Sequence, residues 1–180
     1  MKTIITIALL SLFTMTALGQ DTELTNLTSR EYQKKFDELV QRGYRPVKVW
    51  SKTLGVIDYV DGEHPSFGYW ATFRKVPGGT PWVARHGLDA GAYQSEFDKW
   101  VAQGYMPTDM NVACVNKVVK YNVIYDKIAN PPAWVARHNI NKAEFDRAHK
   151  DLVAKGFILR IRSDCATPSG RIYAALWQKK

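Results

Sequence analysis

One seven-residue stretch occurs twice in this chain and constrains its fold more than any other feature. Trp82–Leu88 reads WVARHGL, and it returns 52 residues later as WVARHNI at Trp134–Ile140. Tyr69, Tyr121 and Tyr173 follow the same spacing of 52 residues. Self-similarity at a fixed period indicates an array built from one supersecondary unit. The sequence therefore predicts three copies of a single packing unit.

Each copy begins with the signals of a helix start. Thr28, Asp89 and Asn141 occupy one register, and all three residue types are preferred N-caps. Glu31 and Glu144 follow their caps by three residues, which predicts capping boxes in the first and third copies. The helices are expected to end at glycines that can adopt a left-handed conformation, namely Gly43, Gly104 and Gly156.

Two segments with alternating apolar residues follow each helix and predict a hairpin. Tyr69, Ala71 and Phe73 show this period of two, which is typical of half-buried strands. We therefore predict an α+β fold of three helix–strand–strand repeats, with extended WVARH linkers between them. Because one unit cannot bury its apolar face alone, stacked units must share a core. We expect a curved, mainly antiparallel sheet with the helices on one face, and the sequence leaves open whether it closes in a barrel-like way. The expected units cover about residues 27–87, 88–139 and 140–180.

The first nineteen residues have the three parts of a secretory signal. Lys2 precedes an apolar run, and Ala17 and Gly19 are small residues at the expected cleavage site. We predict a signal peptide over residues 1–19, a mature single domain over 20–180, and a secreted, extracellular protein (periplasmic in a bacterium). No other segment is long and apolar enough to span a bilayer.

Export changes the interpretation of two further features. The only two cysteines, Cys114 and Cys165, predict one disulfide in an exported chain. Asn26-Leu27-Thr28 is an N-glycosylation sequon.

The charge balance favours anionic partners. The chain has 25 Lys and Arg against 17 Asp and Glu, a formal net charge of +8. Such a surface attracts acidic glycans, anionic surfaces and other polyanions, although it also simply favours solubility. The basic residues are spread along the sequence, and we expect no specific nucleic-acid partner.

The repeat resembles a known family. Ala84–Leu88, Tyr93–Asp98, Gly104–Pro107 and Tyr173–Trp177 resemble the bacterial tandem repeat domain, which also forms the N-terminal domain of fungal polyglycine hydrolases. In those hydrolases a separate domain, similar to class C β-lactamases, carries a Ser-x-x-Lys nucleophile. This chain has no Ser-x-x-Lys motif. The resemblance therefore implies a repeat module without the catalytic partner.

The Arg–His pairs of the repeated motif are the most reactive candidates. Arg85-His86 and Arg137-His138 are either a binding or acid–base pair or structural groups that hold each linker against the fold. Residues that recur with the period of the fold favour the structural interpretation. The neighbouring Trp82 and Trp134 are further binding candidates, and Trp50, Trp70 and Trp82 are candidates for sugar stacking, with core packing as the alternative.

The first unit contains an insertion with an acidic cluster. Its candidate binding residues are Asp58, Asp61, Glu63 and His64, and the alternative is a solvated loop. The four histidines lack close ligand spacing, so we expect no metal, and no motif indicates a cofactor.

These observations favour a secreted, non-catalytic binding or matrix module over an enzyme. Its partner is expected to be an unknown extracellular ligand, such as an acidic glycan or a protein. Two alternatives stay open: a small secreted hydrolase or lytic factor that uses the Arg–His pairs, and an inhibitor or adhesion module that acts through the insertion.

Overall fold

The computed structural model describes residues 21–59, 62–76 and 78–180, and of residues 57–59 and 62–64 it describes only the backbone. The predicted signal peptide, residues 1–19, lies outside the described residues.

Three helices and nine strands alternate in a repeated order. Their bounds are β1 Thr22–Leu27, α1 Ser29–Gln41, β2 Tyr44–Tyr59, β3 Gly62–Lys75, β4 Trp82–Leu88, α2 Ala90–Ala102, β5 Met106–Val115, β6 Val118–Asp126, β7 Trp134–Ile140, α3 Lys142–Ala154, β8 Phe157–Thr167 and β9 Gly170–Lys179. The α+β class and the three repeats are confirmed. Each helix has 13 residues, and no helix in the described part of the chain is long and apolar enough to cross a membrane.

The strands form three separate antiparallel sheets, one for each repeat. Their orders are β1-β3-β2, β4-β6-β5 and β7-β9-β8. The curved sheet expected from the sequence is thus divided into three, and within the described residues it does not close into a barrel. Side chains, not backbone ladders, connect neighbouring sheets.

The segments expected as extended linkers are strands of the following sheet. β4 pairs with β6, with Arg85 opposite Val123, and β7 pairs with β9 in the same way, with Arg137 opposite Ala175. This pairing satisfies the backbone N–H and C=O groups that a free linker would leave to solvent. Each repeat is therefore a strand–helix–strand–strand unit, and we call the sheets and helices of each repeat units one, two and three.

The helix caps agree with the sequence prediction. Thr28, Asp89 and Asn141 are N-caps whose side chains accept hydrogen bonds from the backbone N–H three residues later. The first and third caps complete capping boxes with Glu31 and Glu144. The glycine that follows each C-cap has a φ of 80°, 82° or 81° in Gly43, Gly104 and Gly156.

The first strand of each unit leaves its sheet through a bulge just before the helix. The residue at this position has a left-handed conformation, with φ of 50° at Asn26, 66° at Gly87 and 54° at Asn139. The register shifts across it, for example between Arg85 and Leu88. Asn and Gly adopt this conformation at the lowest cost, so the same backbone turn recurs with only these two residue types.

Neighbouring units share their apolar cores. The core of unit one, around Tyr32 and Phe73, includes Ile124 of unit two, and Ala84 packs against it. The core of unit two likewise includes Ala174 and Leu176 of unit three. The expectation that the copies have a common interior is confirmed.

Candidate functional site

Side chains of one unit cap the free strand edge of the preceding unit. On the outer edge of β2, the N–H of Val49 donates to Asp109 Oδ2 at 2.7 Å, and the N–H of Ser51 donates to Asn111 Oδ1 at 2.9 Å. Burial raises the pKa of the Asp109 carboxyl above its ordinary value, although the Val49 hydrogen bond opposes this effect. An uncovered strand edge invites pairing with other chains, and these contacts remove it inside the array.

Asn122 joins three strands at the boundary between units one and two. Its side chain is fully buried. Its amide nitrogen donates to Ser51 Oγ at 2.8 Å and to Asn111 Oδ1 at 2.9 Å, and its oxygen accepts from the N–H of Gly87 at 3.0 Å. Asn111 in turn donates to Ser163 Oγ of unit three at 3.3 Å. A satisfied polar network of this kind fixes the positions of the units relative to one another.

His86 of unit two packs into unit one. Its ring lies 4.6 Å from that of Tyr32 and 5.1 Å from that of Tyr69, both in edge-on geometry. Its Nε2 lies 3.2 Å from Ser29 Oγ. Burial lowers the pKa of the His86 imidazole, so the neutral form is favoured at neutral pH.

His138 repeats this contact one unit later. Its ring lies 4.4 Å from Tyr93 and 5.7 Å from Tyr121, and burial again lowers its pKa. The two tryptophans of the motif also contact the preceding helix: the ring of Trp82 lies 6.0 Å from Phe36, and that of Trp134 lies 6.1 Å from Phe97. These Trp and His side chains therefore form the aromatic part of the contact between consecutive units.

The arginines of the motif point elsewhere. Arg85 Nε donates to Glu96 Oε2 at 2.8 Å, and its guanidinium lies 5.6 Å from the Trp100 ring, both on the helix of its own unit. Arg137 is exposed, because unit three has Ala148 and Leu152 at the positions of Glu96 and Trp100. Successive residues of a strand face opposite sides. The Arg85 guanidinium thus bonds within its own unit while the His86 ring packs into unit one, although both side chains line a pocket of about 240 Å³ beside Tyr32 and Phe36 of α1.

The insertion of unit one extends the β2–β3 hairpin. Ile57 pairs with His64, and Asp58 pairs with Glu63, in its backbone register. Their side chains, and the whole of Asp61, lie outside the described residues. The insertion as a binding loop stays a prediction.

The second strands of the three sheets line a common groove. The groove has a volume of about 630 Å³ and contains residues of β2, β5 and β8, among them Trp50, Lys52 and Asp164. Cys114 and Cys165 lie in its wall with their sulfur atoms at bonding distance and their Cα atoms 5.6 Å apart. This spacing suits a disulfide that links units two and three.

The charges are distributed unevenly among the three units, contrary to the expectation that the basic residues are spread evenly along the chain. Residues 131–180 have ten Lys and Arg against four Asp and Glu, a net charge of +6. Residues 79–130 have five of each, and residues 21–78 have nine against eight. All ten basic residues of unit three are exposed. The seven that form no ion pair with another described residue are Arg137, Arg147, Lys150, Lys155, Arg160, Lys179 and Lys180.

The opposite end of the array carries a second feature that sequence reasoning identified only in part. Lys48, Trp50 and Lys52 alternate along one face of β2, and Trp70 is the cross-strand partner of Trp50. All four side chains are at least partly exposed. The sequence signal was the Lys-x-Trp-x-Lys alternation, but the partner Trp70 and the side of the sheet follow only from the strand register.

The described side chains offer no metal site, since no three of His, Cys, Asp or Glu lie close enough to hold an ion. Asn26, the residue of the sequon, is exposed.

A protein-family model matches all three units of the chain. The family model for the polyglycine hydrolase-like structural repeat matches residues 23–50, 79–128 and 131–180. Each matched segment contains the first strand and the helix of one unit, and the second and third also contain the hairpin. No curated protein matches the chain.

Proposed function

The chain belongs to the polyglycine hydrolase-like structural repeat family, and we propose that it acts outside the cell as a non-catalytic module that binds polyanions such as acidic glycans. The observation that carries this proposal is the net charge of +6 on unit three, where all ten basic side chains are exposed. The repeated Arg–His motif supports the non-catalytic role, because its His and Trp side chains are used for packing between units.

The extracellular location is part of the proposal. It is supported by the predicted signal peptide and by the paired cysteines, since disulfides persist mainly in oxidising compartments. A concentrated field of one sign accelerates the capture of an oppositely charged polymer, and its range is about 8 Å at physiological salt. Cations grouped on one unit therefore bind a polyanion more strongly than the same number distributed over the surface.

Retention on immobilised heparin tests the proposal. The triple variant Lys150→Glu/Lys155→Glu/Arg160→Glu lowers the net charge of unit three from +6 to 0. At roughly 1 kcal/mol for each basic residue near an anionic surface, loss of the three cations weakens binding by about 100-fold or more. The variant should elute at a much lower salt concentration than the wild type.

The matched control changes total charge equally but elsewhere. Arg30→Glu/Lys34→Glu/Lys117→Glu replaces three exposed residues of units one and two. It should elute close to the wild type. Equal loss of retention in both triple variants, or no retention of the wild type at physiological salt, would contradict the proposal.

A further inference from the structure

The outer face of the first sheet is equivalent to the face with which the second sheet contacts the preceding unit. In the second sheet, Asp109, Asn111 and Asn122 lie on this face and bond to unit one. Trp50 pairs with Trp70 in the first sheet as Asn111 pairs with Asn122 in the second, so the two tryptophans occupy the positions equivalent to the two asparagines. On the equivalent face of the first sheet, Lys48 and Lys52 are exposed and the Trp50 and Trp70 rings are partly exposed, so this face has a different chemistry.

Two indole rings and two ammonium groups form that surface, which we call the Trp–Lys face and define as Lys48, Trp50, Lys52 and Trp70. Lys48 Nζ lies 5.1 Å from the centre of the Trp50 ring, and Lys52 Nζ lies 5.4 Å from that of Trp70. Both lysines are exposed, and both rings are partly exposed. Each cation is held beside the face of an aromatic ring by the ring quadrupole.

A glycine makes room for one of the rings. A Cβ atom added to Gly68 would lie 2.9 Å from the Trp70 ring and 2.5 Å from Asn26 Oδ1. The indole of Trp70 therefore approaches the backbone closely at Gly68. The ring packs over Gly68 and stays partly exposed.

This combination suits a sugar ring that carries an anionic group. The C–H groups of a pyranose have small positive charges and stack on the negative face of an indole. Carboxylate or sulfate groups on the same sugar can pair with the neighbouring ammonium groups. Glu23 lies at the edge of the face, where it accepts from Thr72 at 3.1 Å, so an anionic group is favoured only on the Lys48–Lys52 side.

Charge argues against a second copy of the chain as the occupant. Stacking copies end to end would bring unit three, with its net charge of +6, against Lys48 and Lys52. Like charges at such a contact are destabilising.

We propose that the Trp–Lys face is a binding site for acidic polysaccharide, with sugar rings on Trp50 and Trp70 and their carboxylates at Lys48 and Lys52. The choice of a glycan rests on the extracellular location in the proposed function. Trp50 and Lys52 also line the groove between the sheets, so a longer chain can continue from the face into that groove.

An NMR titration with tetragalacturonate tests this site directly. The mature chain is used without an N-glycan, because Asn26 borders Gly68 on the same face. The indole N–H resonances of Trp50 and Trp70 should shift, while those of the packed Trp82 and Trp134 should not. Trp50→Ala/Trp70→Ala should weaken binding by about tenfold or more, since stacking on one aromatic ring contributes roughly 1 to 3 kcal/mol.

Two controls separate stacking from charge. Val153→Ala removes an exposed apolar side chain from unit three and should leave binding unchanged. Lys48→Gln/Lys52→Gln should remove the preference for tetragalacturonate over neutral maltotetraose while the indole shifts persist.

The outcomes distinguish this site from the charged surface of unit three. Tetragalacturonate binding should survive the triple substitution in unit three, whereas heparin retention should survive Trp50→Ala/Trp70→Ala. The proposal fails if the Trp50 and Trp70 resonances do not move, if maltotetraose binds the wild type equally well, or if oligothymidylate binds this face more tightly than tetragalacturonate.

Discussion

Replacing Asn122 with leucine tests whether the polar network at the unit boundary stabilises the array. The side chain is fully buried and makes three hydrogen bonds, to Ser51, Asn111 and the N–H of Gly87. Leucine has a similar size but satisfies none of these groups. Asn111 Oδ1 keeps its bond from the N–H of Ser51, and the Ser51 hydroxyl can reorient, but the Gly87 N–H loses its partner.

The expected cost follows from this inventory. One buried donor without a partner costs roughly 1 to 3 kcal/mol, and the weakened Ser51 and Asn111 contacts add about 1 kcal/mol. We therefore expect Asn122→Leu to lower the free energy of unfolding by about 2 to 4 kcal/mol. For a domain of this size, that loss corresponds to a decrease in Tm of roughly 4 to 16 °C.

Urea unfolding followed by tryptophan fluorescence measures the effect, with the midpoint and the m-value compared between variants. Gln94→Leu also replaces an amide side chain with leucine, but on the exposed surface of α2, where only the hydrogen bond from Gln94 Nε2 to Asp98 Oδ1 is lost, and it should alter stability by less than about 0.5 kcal/mol. If Asn122→Leu is as stable as the wild type, the network does not hold the units together and the reasoning is refuted.

Two further substitutions test contacts at the same boundary. Asp109→Asn keeps the acceptor for the β2 edge and removes a buried charge. Because folding raises the Asp109 pKa, the wild type loses stability as the pH rises from about 4 through that pKa, so the variant should lose less stability over this range and be at least as stable at pH 7. Asp109→Ala removes the acceptor and should cost about 1 to 3 kcal/mol. Thermal unfolding between pH 4 and 7 measures both, and a wild type that gains stability over Asp109→Asn with rising pH would contradict this. Gly87→Ala should cost at least about 1 to 2 kcal/mol, since φ is 66° and the new Cβ would lie 2.8 Å from Tyr69 Oη. Gly87→Asn meets the same contact with Tyr69, but Asn tolerates this φ better than Ala, as Asn139 does one unit later, so it should cost less. Equal Tm values for the two variants would refute this interpretation.

The helix boundaries could be predicted because their signals are local. The N-caps at Thr28, Asp89 and Asn141 bond to a residue three positions away, and a terminal glycine needs only its own φ. The spacing of 52 residues predicted the number of units for a similar reason, since a copied unit folds in the same way wherever it occurs. The cysteines were predicted to pair from their number and equivalent hairpin positions alone.

The partner of each strand could not be predicted in this way. The pattern of β4 is the same whether it pairs with β3 before it or β6 after it, because alternation specifies two faces and not a neighbour. The sequence therefore suggested a linker where the structure has a strand. The same uncertainty concealed which residues of units two and three pack against the preceding unit.

The amino-acid sequence by itself determined the repeat, the helix boundaries and the α+β class, because these depend on contacts within a few residues or on exact copying. Only the tertiary structure decided that the strands form three sheets and that His86 and His138 insert into the preceding unit. It also decided that Trp50 and Trp70 share an exposed face. These arrangements depend on which distant strands pair, and the free energy of such pairing comes from burial and hydrogen bonds between segments that no local pattern connects.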